Sequence, residues 1–229
     1  QEVPHKKYLN DFLTGKYPDS FARGELYNDD PRLGDARLCG TTASLCGIER
    51  FGFEGNQEGV DRAVRYDITL HAFMLSQSGI PVIYSGDEIG QVNDYTYKDD
   101  PEKADDSRYL HRGNFDWKLA ENRHDPTTVQ GKLFPALDKL EHIRTSHGVF
   151  NSNVPFHTID TWDNSILAFV RENDEEKFIG IYNFSENNKV AWINEEDGMY
   201  TDLISGRELE AKGVQIPAFG CYWLCRSKK

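Results

Sequence analysis

Asp87 and Glu88 stand side by side where an apolar run, Gly79-Ile80-Pro81-Val82-Ile83-Tyr84-Ser85-Gly86, gives way to a polar loop. Paired carboxyl groups can serve general acid–base or glycosidic chemistry, which needs both acids flanking one bond. Neighbours on an extended strand point to opposite faces, so these two do not converge on one bond. The residues alone read as caps or loop anchors, with direct contact to substrate as the functional alternative. Gly86 and Gly90 let the backbone turn there, where bulkier residues could not follow. Downstream, the stretch from Asp94 to Ser107 holds six acids, which raises the question of calcium. That ion needs six to eight oxygens in defined geometry, and the EF-hand pattern is absent, so no metal is expected. The four cysteines, Cys39, Cys46, Cys221 and Cys225, form no C-x-x-C pair. They read as reduced, partly buried thiols, which favours the cytoplasm.

The elements that must position these residues fall into two halves. In the first, Val60, Val64, Ile68, Phe73 and Leu75 follow helical spacing within residues 59–78, and Leu133, Phe134, Leu137, Leu140 and Ile143 do so within 131–146. Tyr8, Leu9, Phe12 and Leu13 predict a short helix behind Pro4. The run at 79–86 lacks alternation and follows a helix directly, as a strand buried on both faces of a parallel sheet would. The acid-rich segment from Asp87 to about Thr128 shows no period and reads as a long functional loop at the C-terminal end of that strand. From about Phe150 onward the pattern turns to short strands at 166–171, 178–184, 190–193, 200–204 and 214–225, with Asn, Asp and Gly turns between them. That predicts an antiparallel β-sandwich. Its aromatics Trp162, Tyr182, Trp192, Tyr200, Tyr222 and Trp223 read mainly as core, with a sugar-stacking platform as the alternative.

Composition bounds the rest. The 229 residues carry 26 Lys+Arg against 38 Asp+Glu, a formal charge of -12 that repels phosphate backbones and argues against nucleic-acid partners. No apolar run approaches the roughly 18–20 residues of a membrane span, so no membrane association is expected. Gln1 is not an initiator Met and Gln1 to Lys7 has no apolar signal region, so the chain reads as cut from something longer.

The segment Gly79 to Gly90 resembles the last barrel strand of the α-amylase superfamily, glycoside hydrolase family thirteen, with its G-x-P-x-[IL]-Y-x-G-x-E pattern. The neighbouring segments strengthen the likeness: Ser20-Phe21-Ala22-Arg23-Gly24, Gly34-Asp35-Ala36-Arg37-Leu38-Cys39-Gly40-Thr41, Asp105-Asp106-Ser107-Arg108-Tyr109-Leu110-His111-Arg112 and Asn122-Arg123-His124-Asp125-Pro126-Thr127-Thr128. In this order they resemble the amylosucrase and sucrose hydrolase branch. The resemblance implies an α/β plus all-β chain. Residues 1–149 would be the C-terminal portion of a (β/α)8 barrel, with its last strand, its helices and the long loops after strands seven and eight. Residues 150–229 would be the β-sandwich. It also implies a retaining enzyme whose Asp nucleophile, Glu acid/base and third Asp lie upstream, leaving no catalytic residue in this chain. His124-Asp125 would fall in the loop after strand eight.

Four residues then stand as substrate-binding candidates. Arg108 aligns with an arginine that closes the bottom of a glucosyl pocket by pairing with an upstream Asp, its alternative being a surface pair with Asp105 or Asp106. Arg37 aligns with an arginine near the leaving-group side, its alternative being a local pair with Asp35. Asp87 and Glu88 complete the set, and Lys6 falls where the family tends to have a basic residue. The implied activity is glucosyl transfer from sucrose to an α-glucan or water, absent from the isolated chain. The alternatives are an α-amylase or neopullulanase-type hydrolase of α-1,4-glucans and, in another class, a non-catalytic carbohydrate-binding module. The implied partners are sucrose or α-glucan and the N-terminal part of the barrel, with self-association of the fragment through its uncovered apolar surface and no cofactor.

Overall fold

The hydrophobic spacing resolves into helices first and strands second. The computed structural model describes residues 5–30, 32, 35–193 and 197–228. Pro4 and Gly34, and the side chain of Asp35, lie outside what is described. In chain order the elements are α1 (His5–Leu13), β1 (Glu25–Asp30), β2 (Asp35–Cys39), α2 (Thr42–Cys46), α3 (Ile48–Phe53), α4 (Gln57–Ser76), α5 (Trp117–Ala120) and α6 (Val129–Ser146). There follow β3 (Phe156–Ile159), β4 (Ile166–Glu172), β5 (Glu176–Asn183), β6 (Lys189–Ala191), β7 (Met199–Asp202), β8 (Glu208–Glu210), β9 (Val214–Ile216) and β10 (Cys221–Ser227). Two compact units emerge: Gln1–Asp67 with Ile83–Phe134, and Ile68–Val82 with Pro135–Lys229.

In the first unit, α4 buries Val60, Ala63 and Val64 while Asp61 and Arg65 stay exposed, as a 3.6-residue period requires. Thr41 starts α2 by accepting the Ser44 amide at 3.2 Å, and Gly47, at φ 102°, ends it. The β1–β2 hairpin pairs Glu25 with Cys39, Leu26 with Leu38 and Tyr27 with Arg37. Its charge-rich strands carry no apolar alternation, which is why the sequence did not announce them.

Two expectations need correction. Residues 80–84 form no strand, and Ile80 and Val82 are 89% and 76% exposed rather than buried on both faces. A strand exists only through hydrogen bonds to a neighbour, and among the described residues this segment has no ladder partner. The loop after it is not structureless: 3-10 turns at Asp87–Ile89, Thr96–Asp99, Ser107–His111 and Glu121–His124, together with α5, give it local order.

The second unit contains the expected antiparallel sandwich. One sheet has the order β3-β4-β5-β10-β7-β8, and β6-β9 is the other. Ile166, Ala168, Val170, Ile179, Ile181 and Leu224 point from the large sheet into a core shared with Ala191, Val214 and Ile216 of the small one. The opposite face of the large sheet is aromatic. Phe169 stacks on Tyr182 at 5.7 Å between ring centroids, and Phe150 lies 4.8 Å from Phe178 and 5.0 Å from Trp223. Gly180 sits opposite both Phe169 and Trp223, where an added Cβ would come within 2.7 Å of the Tyr182 hydroxyl. Both faces are therefore buried, so β4 and β5 read as near-continuous apolar runs. The run at 214–225 splits into β9 and β10 because Pro217 and Gly220 form a turn through Phe219, at φ 49°.

Two arginines fasten the end of α4. Arg171 is fully buried and donates to the carbonyls of Ser76 and Gln77 at 3.0 and 3.2 Å and of Asn151 and Val154 at 2.7 and 2.8 Å. Arg144 donates to the Leu75, Gln77 and Gly79 carbonyls. The last carbonyls of a helix lack intrahelical donors and carry its negative dipole end, so cations belong there.

Candidate functional site

The site residues belong to the first unit and are organised by one buried amide. Asn93 accepts from the Thr41 amide at 2.8 Å, donates to the Arg23 carbonyl at 2.7 Å, and its own N–H donates to Ser44 Oγ at 2.9 Å. Residues far apart in sequence are thereby stitched into one frame. Ser107 Oγ donates to the Leu26 carbonyl at 2.9 Å, and the Tyr97 hydroxyl and the Lys98 ammonium both bind the Glu25 carboxylate. These bonds pin the β1–β2 hairpin against the loop.

Arg108 lies on the turn Ser107–His111. Its Nε and Nη2 make a forked pair with Asp106 at 2.8 and 2.7 Å, and its guanidinium rests 4.6 Å above the Tyr27 ring. The guanidinium holds the Asp106 carboxyl down to about 2, helped by the Arg108 amide, and the carboxylate holds the guanidinium above its ordinary value. The side chains of this pair remain 42% and 24% exposed. Arg37 is exposed and sits directly across β2 from Tyr27, so the two side chains leave the same face of the hairpin. Tyr27 thus carries the Arg108 guanidinium over its ring and has Arg37 as its cross-strand partner.

Asp87 and Glu88 do not occupy an extended strand. They form a 3-10 turn between Gly86 and Gly90, at φ 101° and 60°, and Glu88 Oε2 accepts the Gly86 amide at 2.8 Å. Glu88 so serves as the loop anchor that the residues alone suggested. It also borders a cavity of about 570 Å³ with Phe115, Trp117, Glu121 and Arg123. Asp87 is buried and lines a small pocket with Thr41 and His111. Tyr84 meets the His111 ring edge-on at 5.7 Å, and burial, then Arg112, push that imidazole below its ordinary range, against the pull of Asp106 and Asp87. The turn Ser107–His111 thereby presents Arg108 to the hairpin and His111 to Asp87.

Three acids of the Asp94–Ser107 segment bind groups close to them in the chain. Asp94 holds the Thr96 amide and hydroxyl, Asp100 the Glu102 amide and Lys103, and Asp106 holds Arg108. Asp125 likewise accepts from Thr127, and His124 is exposed.

No protein-family model matches the chain. Among curated proteins it is 29% identical over 166 residues to glucosylglycerate phosphorylase of Escherichia coli K12, across 72% of this chain and 28% of that one. The fold matches trehalulose synthase MutB of Pseudomonas mesoacidophila MX-45 with a TM-score of 0.53 and 20% identity, over 70% of this chain and 38% of that one. It matches AmyP, solved with maltose, with a TM-score of 0.57 and 20% identity, over 71% of this chain and 35% of that one.

The chain is similar in sequence and fold to enzymes of the α-amylase superfamily. It corresponds to the C-terminal portion of such enzymes, a part of the barrel followed by the β-sandwich, and spans less than two fifths of each relative named. Sequence reasoning passed over three contributors to this site. Asn93 is a polar residue whose value lies in distant partners. Tyr27 is on a hairpin without a pattern. His111 was within reach, since it stands inside the Asp105–Arg112 motif.

Proposed function

We propose that this chain is the C-terminal part of a retaining α-glucoside-active enzyme of the amylosucrase and sucrose hydrolase kind, working in the cytoplasm. In the complete enzyme an upstream Asp attacks the glucosyl carbon, an upstream Glu protonates the departing fructose, and the glucosyl group passes to α-glucan or water. Residues 1–149 complete the barrel and 150–229 form a β-sandwich. The observation that carries the reading is the Arg108 guanidinium over the Tyr27 ring, with Arg37 the cross-strand partner of that tyrosine, a fork-and-ring arrangement suited to sugar hydroxyls and a sugar face. Asp87 and Glu88 shape the loop beside it.

Initial rates of the complete enzyme on sucrose and on maltoheptaose, with and without inorganic phosphate, test this. We expect sucrose to be faster by at least about tenfold, a barrier difference of about 1.4 kcal/mol. Faster maltoheptaose cleavage would give the assignment to an α-amylase or neopullulanase-type hydrolase. Strict phosphate dependence would give it to a phosphorylase, the activity that names the Escherichia coli relative.

The rest of the barrel is the natural cover for Ile80 and Val82, both largely exposed. Light scattering on the isolated chain is expected to show self-association, relieved by Ile80→Asp with Val82→Asp; a clean monomer would count against it.

A second reading has its own observation. Tyr182, Tyr200 and Trp223 are core as expected, whereas Trp162 and Trp192 are 71% and 51% exposed, correcting the expectation for those two. Trp162 also sits at φ 59°, a conformation that a bulky residue adopts only at a cost. A ring held out in this way suits stacking on a sugar, as in a carbohydrate-binding module. Quenching of tryptophan emission by maltoheptaose, abolished by Trp162→Ala, is the expected sign; unchanged quenching in that variant would dismiss the reading.

A further inference from the structure

Three side chains that no sequence motif connects meet at the edge of the sandwich. His147 follows α6, Glu176 opens β5, and Cys225 lies on β10. His147 Nδ1 is 2.5 Å from Glu176 Oε1, and Cys225 Sγ is 4.0 Å from that same oxygen. All three ligand atoms lie within 4.8 Å of one another. A hydrogen bond between His147 and Glu176 accounts for two members. It does not account for a buried thiol set beside the same carboxylate.

We propose that His147, Glu176 and Cys225 form a binding site for a thiophilic divalent cation, with Zn2+ the ion their donor set suits. Imidazole nitrogen, carboxylate oxygen and thiolate sulfur are the three ligand types of protein zinc. Tetrahedral bonding places such donors about 3.3–3.6 Å apart. The atoms here bracket that spacing, so side-chain shifts of about 1 Å would complete the set. The other Glu176 oxygen accepts the Val149 amide at 3.3 Å, which orients the carboxylate as outer-sphere partners do. Cys225 is 5% exposed, whereas the His147 and Glu176 side chains are 28% and 20% exposed. The site therefore has a dry sulfur and a solvent side for entry and for a fourth ligand, water. Binding deprotonates the thiol, releasing its proton to solvent. One carboxylate and one thiolate then neutralise the doubly charged cation. The ion would clasp the residue after α6 to two strands of the sheet.

Cobalt titration of the reduced, chelator-treated protein is the test. Co2+ is expected to bind with one equivalent showing a thiolate-to-cobalt charge-transfer band in the near ultraviolet, displaced by Zn2+. Cys225→Ser should remove that band, and with it any rise in Tm on adding Zn2+, while far-ultraviolet circular dichroism stays unchanged. His147→Gln, at a more exposed position, should weaken Zn2+ affinity at least about tenfold, and it keeps the proposal testable if the cysteine variant fails to fold. No charge-transfer band in the parent protein, or a band that survives Cys225→Ser, would overturn the site. So would an unchanged affinity in His147→Gln.

Discussion

Replacing Arg171 with Met is expected to destabilise the protein by about 3–5 kcal/mol, the range for removing one partner from a buried charged network. Four carbonyls accept from this one guanidinium: Ser76 and Gln77 at the end of α4, and Asn151 and Val154 from the connection to β3, with Arg144 also donating to Gln77 and the Ser78 hydroxyl to Val154. The methionine fills most of the volume, so the loss comes from the orphaned carbonyls, each costing about 1–3 kcal/mol if water cannot reach it. Burial pulls the guanidinium down to about 10, so it remains charged at neutral pH and its positive end still faces the helix terminus. Arg171→Lys keeps the charge but concentrates its donors at one atom, which cannot span two carbonyl pairs; an intermediate loss is expected. Urea denaturation followed by circular dichroism measures both variants. A shift below about 1 kcal/mol for the methionine would show that the carbonyls find other partners.

The second large effect is on activity. In the complete enzyme, Arg108→Ala is expected to lower kcat/KM on sucrose by about a hundredfold, since hydrogen bonds to charged groups contribute about 1.5–3 kcal/mol each. The competing view is visible in the geometry itself, because Arg108 already pairs with Asp106 on an exposed turn. If that pair is the whole role of Arg108, its removal costs at most about 1 kcal/mol of stability and leaves turnover alone. Asp106→Asn separates the cases further. It frees the guanidinium without removing it, so activity should fall far less than in Arg108→Ala. Equal losses in both variants would mean that Asp106 aims Arg108 at the sugar. Unchanged kinetics in Arg108→Ala would remove the arginine from the site.

Much of the fold was legible because period and burial coincide. Val60, Val64 and Leu75 on α4 and Leu133, Leu137 and Leu140 on α6 repeat at helical spacing and are buried. The strands β4, β5, β6 and β7 lie within about two residues of where their β-branched and aromatic composition puts them. What was not legible lacked a local signal. The β1–β2 hairpin is made of Asp, Glu, Arg and Asn as much as of apolar residues and is held by bonds from Ser107, Tyr97 and Lys98. Arg144 and Arg171 stand in no motif, and the end of α4 that they hold is far from them in the chain.

At the candidate site the division is sharper. Arg108, Arg37, Asp87 and Glu88 were visible through their motifs, because side-chain type and order along the chain carry family likeness. That Arg108 turns to Asp106 and Tyr27, that Glu88 caps the Gly86 amide, and that His111 lies against Tyr84 were decided by tertiary structure. A side chain's partners depend on distances through space, and these are set by segments tens of residues away. By itself the amino-acid sequence determined the long helices α4 and α6, most strands of the sandwich and the resemblance to the superfamily, since these rest on local period and on motifs. Only the tertiary structure decided which charges are paired, which aromatics are exposed and which distant donors meet, since those outcomes depend on packing rather than on neighbours in the chain.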